Sequence, residues 1–273
     1  MTDRPKTRDD VLRLARELDV RFVRLQLIDI MGFPKSVAIP VDQLPKALDN
    51  QLIFDGSAIE GFVRTDEADM LLLPDPRTFA VFPWTEGAAG ATARLICDVA
   101  APDGEPFEGD PRVCLRRVIQ TAADMGYTMM VGPEPEFYLF EPGPDGKPTT
   151  QPADQASYFD LGPIDRGEAC RSDIVLTLQR MGFEIEASHH EIGPGQHEID
   201  FKYADALTAA DNIATFRHVV RTVALNHRLH ASFMPKPVFG LPGNGMHLHI
   251  SLFKSGSQTN LFCDPDQEDG LSL

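Results

Sequence analysis

The tripeptide Gly193-Pro194-Gly195 restricts the fold of this chain more than any other short feature. It separates two stretches of strand character, Phe183 to Ile192 and Gln196 to Tyr203, and a turn of this composition between such stretches predicts an antiparallel hairpin. In a hairpin centred near Pro194, Glu191 and Glu198 stand directly opposite each other. Like charges so placed destabilise a sheet unless they share a partner, so the hairpin calls for a cation. A third stretch, Met129 to Phe140, contains Gly132-Pro133-Glu134-Pro135-Glu136-Phe137. Glu134 and Glu136, two apart on a strand, project from one face. An isolated pair of this kind is usually a solvated strand edge, but two acidic clusters in one domain favour a divalent ion. Hard oxygen ligands suit Mg²⁺ or Mn²⁺, with Glu136, Glu191 and Glu198 as three carboxylate ligands.

The segment Gly240 to Gly245 reads as a flexible, Gly-rich loop running into a strand, Met246 to Phe253, on which His247, His249 and Ser251 share a face. Histidine among carboxylates admits Mn²⁺ as well as Mg²⁺. No Walker or dinucleotide-binding glycine motif is present in a strand–helix context. Phe54-Asp55-Gly56-Ser57 is, by itself, an Asp-Gly turn, although an acidic residue there could serve as a general base.

Thr7 with Asp10 predicts a capped helix ending near Asp19, followed by a hairpin of strands around Val23 to Leu27 and Val37 to Val41. Met70 to Leu73, Phe79 to Phe82 and Ala93 to Val99 add strands, whereas Gln51 to Arg64 shows no period and reads as loop. Ala101 to Pro111, dense in Pro, Gly and acid, is the linker, giving domains 1–105 and 106–273. Asp110 caps a helix that stops at Gly126, a second helix spans Glu168 to Met181, and a third opens with Thr208 and Asp211. Helices interleaved with antiparallel hairpins give an α+β fold.

Charge narrows the partners. Lys and Arg number 25 against 41 Asp and Glu, a net −16 that repels nucleic acid and anionic membrane surfaces. There is no membrane-length apolar run and no signal-like opening, so a cytoplasmic protein is expected. Cys97, Cys114, Cys170 and Cys263 are far apart and are expected to be buried free thiols. At the other end, Ser272 stands one residue before the last, where a helix cap would begin, which suggests a partial chain.

Taken together, RLQLIDIMG, FDGSAIEGFVR, FPW, FEGDPR, GPEPEFYLF, EIEASHHEIGPGQHEIDFKY, FMPKP and GMHLHIS resemble type I glutamine synthetase along essentially the whole chain. The resemblance implies a β-grasp N-terminal domain, an α+β catalytic domain, and a double-ring dodecamer with active sites between subunits. It implies ATP-dependent ligation of ammonia to L-glutamate through a γ-glutamyl phosphate, with two Mg²⁺ or Mn²⁺ ions per site. Glu136, Glu191 and Glu198 would then hold one metal, and Glu134 and His247 the second. Glu186, His249 and Ser251 match ATP-contacting positions, and Gly243 a glutamate-binding loop position. Asp55 matches the aspartate that binds and deprotonates ammonium in an adjacent subunit's site, and Arg64 a position linked to feedback control. Pro242 stands where the family usually has Asn, and the family chain continues well past Leu273, carrying further metal and substrate ligands. Three carboxylates leave about −1 on a divalent ion against about +1 at the second site, so the first should bind metal better. Two alternatives are a non-catalytic partner of a full-length synthetase and a γ-glutamyl ligase for another amine.

Overall fold

The computed structural model describes residues 5–59, 61, 69–87, 90–257, 259–264, 266–267 and 270–272. They form two compact units, residues 1–121 and 122–273.

In the first unit α1 (Arg8–Glu17) begins with the expected reciprocal cap: the Thr7 side chain accepts from the Asp10 N–H while the Asp10 carboxylate accepts from the Thr7 N–H. Strands β1 (Val20–Ile28) and β2 (Pro34–Pro40) form the expected antiparallel hairpin, with Leu25 opposite Val37. After α2 (Leu44–Leu48) come β3 (Leu52–Asp55), β4 (Asp69–Pro74), β5 (Ala80–Val81) and β6 (Ala91–Ala100). The sheet order is β2-β1-β6-β4-β3 with β5 also on β6; β1 and β6 run parallel, the other pairs antiparallel. Val11 of α1 closes the core over Val23, Leu25, Leu72 and Leu95. Strand β3 corrects the expectation of a loop from Gln51: four residues are too few to display a period, and pairing with β4 supplies what local sequence lacks.

Helix α3 (Pro111–Asp124) starts at a buried Asp110, whose carboxylate accepts from the N–H groups of Arg112 and Val99, both at 2.8 Å. One side chain therefore caps the helix and fastens it to β6. Buried Arg112 reaches Asp75 at 2.9 Å and also pairs with Asp98, while Arg116 lies 2.8 Å from Asp98 and 3.2 Å from Asp75. These pairs hold the start of α3 on the first unit.

The second unit is built on β7 (Tyr127–Phe140), which has neighbours along both edges. The hairpin of β8 (Ile185–His190) and β9 (Gln196–Phe201), with β10 (Ala204–Asp205), continues from one edge; β11 (His230–Ser232) and β12 (Met246–Lys254) pair with β7 too, all antiparallel. Helices α4 (Glu168–Arg180) and α5 (Ala206–Asn226) complete the unit. Helix α5 opens earlier than the Thr208 signal suggested: Asp205 is the cap, accepting from the Thr208 N–H at 3.1 Å. Wholly buried Phe216 of α5 packs against Phe137 and Phe201, and burying a ring of this size stabilises by about 1.5–3 kcal/mol. Because strand residues alternate, burying Phe137 on the helix side turns Glu134 and Glu136 to the other face. Two cysteines depart from expectation: Cys97 and Cys170 are buried, but Cys114 and Cys263 are exposed.

Candidate metal centre

The face of the second sheet away from α5 gathers the acidic clusters. Glu136 of β7 is directly opposite Glu198 of β9, and Glu198 is opposite His189 of β8, so these three form a row across three strands. The expected Glu191–Glu198 pairing is corrected by this register. The Glu191 N–H bonds to the Gln196 carbonyl at 2.8 Å, which closes the turn tighter and moves each residue's facing partner by two positions. Glu191 still reaches the row from the turn: its carboxylate is 3.6 Å from His189 Nδ1, and His189 Nε2 is 3.1 Å from Glu198.

On the opposite edge of β7, His247 of β12 is opposite Glu134, with Nδ1 3.6 Å from its carboxylate. His249 Nε2 lies 2.6 Å from the other oxygen of Glu134. One atom each from Glu134, Glu198 and His247 falls within 4.8 Å of the others, as for His189, Glu191 and Glu198. Glu198 belongs to both triads. Glu136 sits between them, its carboxylate accepting a hydrogen bond from Gln196 Nε2.

These carboxylates are held in mutual repulsion. Burial, followed by the neighbouring charge of Asp200, pushes Glu198 up to about 7, and burial also raises Glu136. Asp200 is raised by burial and then by Glu134, and its buried Oδ1 has no hydrogen-bond partner. A set of hard oxygen donors with one or two imidazoles, an unsatisfied buried carboxylate oxygen and disfavoured ionisation fits a divalent cation. Asp200 and His189 were not singled out from sequence. Asp200 follows Glu198 at the same period of two that marked Glu134 and Glu136, so the signal was present; His189 needed the register.

The Gly-rich loop before β12 is not the free segment its composition suggested. Tyr138 Oη donates to the Pro242 carbonyl at 2.7 Å, Gln196 Nε2 to that of Gly243 at 2.9 Å, and Asn244 Nδ2 to those of Ser232 and Met234 at 3.1 and 3.0 Å. A Cβ on Gly245 would lie 2.8 Å from Glu136 Oε1, so glycine lets the loop approach the acidic row. Ser251 accepts from Asn260 Nδ2 at 3.3 Å, and Glu186 occupies an irregularity between β8 and β9. Asp55 ends β3 in the first unit, where hydrogen bonds from Ser57 lower its pKa. Arg64 lies outside the described residues.

Comparison with known proteins decides the family. Residues 108–273 match the family model described as glutamine synthetase, catalytic domain, and residues 19–102 match glutamine synthetase, beta-Grasp domain. The chain belongs to the glutamine synthetase family. Glutamine synthetase of Staphylococcus aureus strain MW2 is 58% identical over all 273 residues, which are 60% of its length; that of Staphylococcus epidermidis is 58% identical over 267 residues, 97% of this chain and 59% of the relative. Among solved structures, a GmaS/ADP complex is similar with a TM-score of 0.86 at 33% identity, covering 96% of this chain and 59% of that one. Plasmodium falciparum glutamine synthetase shares the fold, with a TM-score of 0.85 at 23% identity over 97% of this chain and 57% of its own. The chain thus spans about 60% of the length of the glutamine synthetases it matches.

Proposed function

We propose that this chain carries the metal-binding part of an ATP-dependent ligase that joins ammonia to L-glutamate. The observation that carries the reading is the convergence of Glu134, Glu136, Glu191, Glu198 and His247 around one strand, β7, in a glutamine synthetase catalytic domain. Glu136, Glu191 and Glu198 would hold one Mg²⁺ or Mn²⁺, with Glu198 able to reach either triad; Glu134 and His247 would hold a second. Bound there, the ions would neutralise and orient the phosphates of ATP and the γ-carboxylate of glutamate, two anions that otherwise repel.

The remaining assignments follow the same reading. Glu186, His249 and Ser251 would contact ATP, which is consistent with the ADP named for the GmaS relative. Gly243 would bind glutamate through backbone. Pro242, with no N–H and a carbonyl engaged by Tyr138, leaves that contact to its neighbours. Asp55, kept ionised by Ser57, would attract ammonium and accept its proton in the site of a neighbouring subunit, freeing a lone pair for attack on the γ-glutamyl phosphate. This requires a homo-oligomer, a dodecamer by family resemblance; the protein would work in the cytoplasm, and Arg64 would serve feedback control. Domains are proposed at 1–105 and 106–273.

The test uses a protein of the relatives' full length that includes this chain. Phosphate release from ATP should require both glutamate and ammonium, and should fall by several orders of magnitude in Glu136→Ala. Release independent of either co-substrate would overturn the ligase assignment.

A further inference from the structure

Behind the acidic row lies a second polar cluster, wholly inside the unit, that the proposed reaction does not use: Asp154, Asp165, Arg171, His190 and His197. Four of these could ligate a metal by residue type, but a cation is already among them. Arg171 Nη1 lies 2.7 Å from Asp165 Oδ2 and 2.9 Å from His197 Nδ1. The cluster must therefore be explained by what it holds in place.

His190 is 0% exposed, and both of its ring nitrogens face acceptors. Nδ1 is 2.7 Å from the Glu191 carbonyl oxygen, and Nε2 is 3.0 Å from Asp154 Oδ1. The ring thus spans the Asp154 carboxylate on one side and the Glu191 carbonyl on the other. Asp154 Oδ1 also accepts from the N–H of Gly195 at 2.8 Å and of Ala156 at 3.2 Å, while Oδ2 accepts from that of Arg166 at 3.1 Å. A single buried carboxylate thus grips the turn at two points: at Gly195 directly, and at Glu191 through the imidazole. Those points bracket the turn that sets Glu191 and Glu198 relative to each other. Across it, the Glu191 N–H···Gln196 carbonyl bond fixes the register.

We propose that Asp154 and His190 are positioning residues that hold the Glu191–Glu198 hairpin in the arrangement that binds a divalent cation, without touching the ion. The inference rests on the cation reading of the acidic row. Partners behind metal ligands fix the orientation of those ligands before the ion arrives, and their loss typically weakens binding about 10- to 100-fold.

The experiment measures Mn²⁺ binding by electron paramagnetic resonance for the unaltered protein, Asp154→Asn, Glu136→Gln and Asp75→Asn. The last breaks buried ion pairs in the other unit and controls for general destabilisation. Asn at 154 keeps one acceptor oxygen for Gly195 but puts an amide nitrogen, which cannot accept, where Oδ2 takes the Arg166 N–H. Expected are about 10- to 100-fold weaker binding and an altered bound-Mn²⁺ line shape in Asp154→Asn, against less than about a twofold change in Asp75→Asn. A folded Asp154→Asn with unaltered affinity and line shape, alongside weakened Glu136→Gln, overturns the positioning role and leaves the cation site standing. Unaltered affinity in Glu136→Gln as well overturns the cation reading beneath it. If Asp154→Asn does not fold, amide hydrogen exchange in the unaltered, metal-free protein decides: the Gly195 and Glu191 N–H groups should exchange as slowly as those inside β9, and fast exchange at both overturns the clamp.

Discussion

Replacing Glu198 with Gln should stabilise the metal-free protein at alkaline pH while abolishing its response to metal. Glu198 is 8% exposed and faces Glu136 across the β7–β9 pair, with Asp200 adding charge beside it. Burial and those charges raise its folded pKa from an ordinary 4.5 to about 7. A carboxyl group raised on folding binds its proton more tightly in the native state, so its contribution is most favourable below the unfolded value. That contribution is lost as pH rises through the folded value. At about 1.4 kcal/mol per pH unit, the gap corresponds to about 3 kcal/mol at pH 8, and solvent screening reduces this to about 2 kcal/mol. The assay is urea unfolding in EDTA at several pH values between 4.5 and 8, repeated with saturating Mn²⁺. Glu198→Gln is expected to be about 2 kcal/mol more stable than the unaltered protein at pH 8, with the two converging toward pH 4.5. Mn²⁺ should stabilise only the unaltered protein, because binding to the native state alone raises apparent stability. If Glu198→Gln is less stable at pH 8 in EDTA, the hydrogen bond to His189 outweighs the repulsion and the electrostatic argument is refuted. Equal stabilisation of both proteins by Mn²⁺ would refute the ligand assignment.

Three further outcomes follow from the same structure. Gly195→Ala should destabilise by at least about 1–2 kcal/mol and weaken Mn²⁺ binding, because φ is +69° and the new Cβ would lie 2.7 Å from the Leu139 carbonyl oxygen; thermal unfolding reads the first effect and spin resonance the second. Asp75→Asn should cost about 1.5–3 kcal/mol at pH 7 by removing one of the two carboxylates, Asp75 and Asp98, that face buried Arg112. Burial works against ionised Asp75, but hydrogen bonds from Arg77 and Arg112 outweigh it and hold its pKa below the carboxylate range. Its contribution is therefore present above the unfolded value near 3.8 and shrinks as pH falls below it, so acid titration of unfolding should bring the two proteins together. Finally, a thiol reagent should modify Cys114 and Cys263 in the native protein but Cys97 and Cys170 only after unfolding, since burial excludes the reagent and pushes the Cys170 thiol up to about 12. Mass spectrometry of labelled peptides reads the pattern, and fast native labelling of Cys170 would contradict it.

Much of this protein was legible without coordinates. Strands that alternate over many residues, such as β7 and β12, and helices with a side-chain cap, such as α1, fell where period and capping residues put them, because those signals are local. The short strand β3 was invisible because its order comes from β4 rather than from its own four residues. The start of α5 at Asp205 was displaced because Thr208 and Asp211 also resemble cap residues, and only the hydrogen bond separates them.

At the site, the sequence by itself determined that Glu134 and Glu136 share a face, that a hairpin turns at Gly193 to Gly195, and that several carboxylates must share a cation or repel. It determined these because alternation and turn chemistry act over a few residues. The tertiary structure decided which acid faces which. Register is fixed by backbone hydrogen bonds between strands, so the residues facing Glu198 across the sheet are Glu136 and His189, and Glu191 reaches it from the turn. It also decided that the Gly-rich loop is tied down by Tyr138, Gln196 and Asn244, and that Asp154, 36 residues away from His190 in sequence, lies beneath the turn. Nothing in a local pattern can announce such a pairing, because a buried charge finds its partner only when the chain between them has packed.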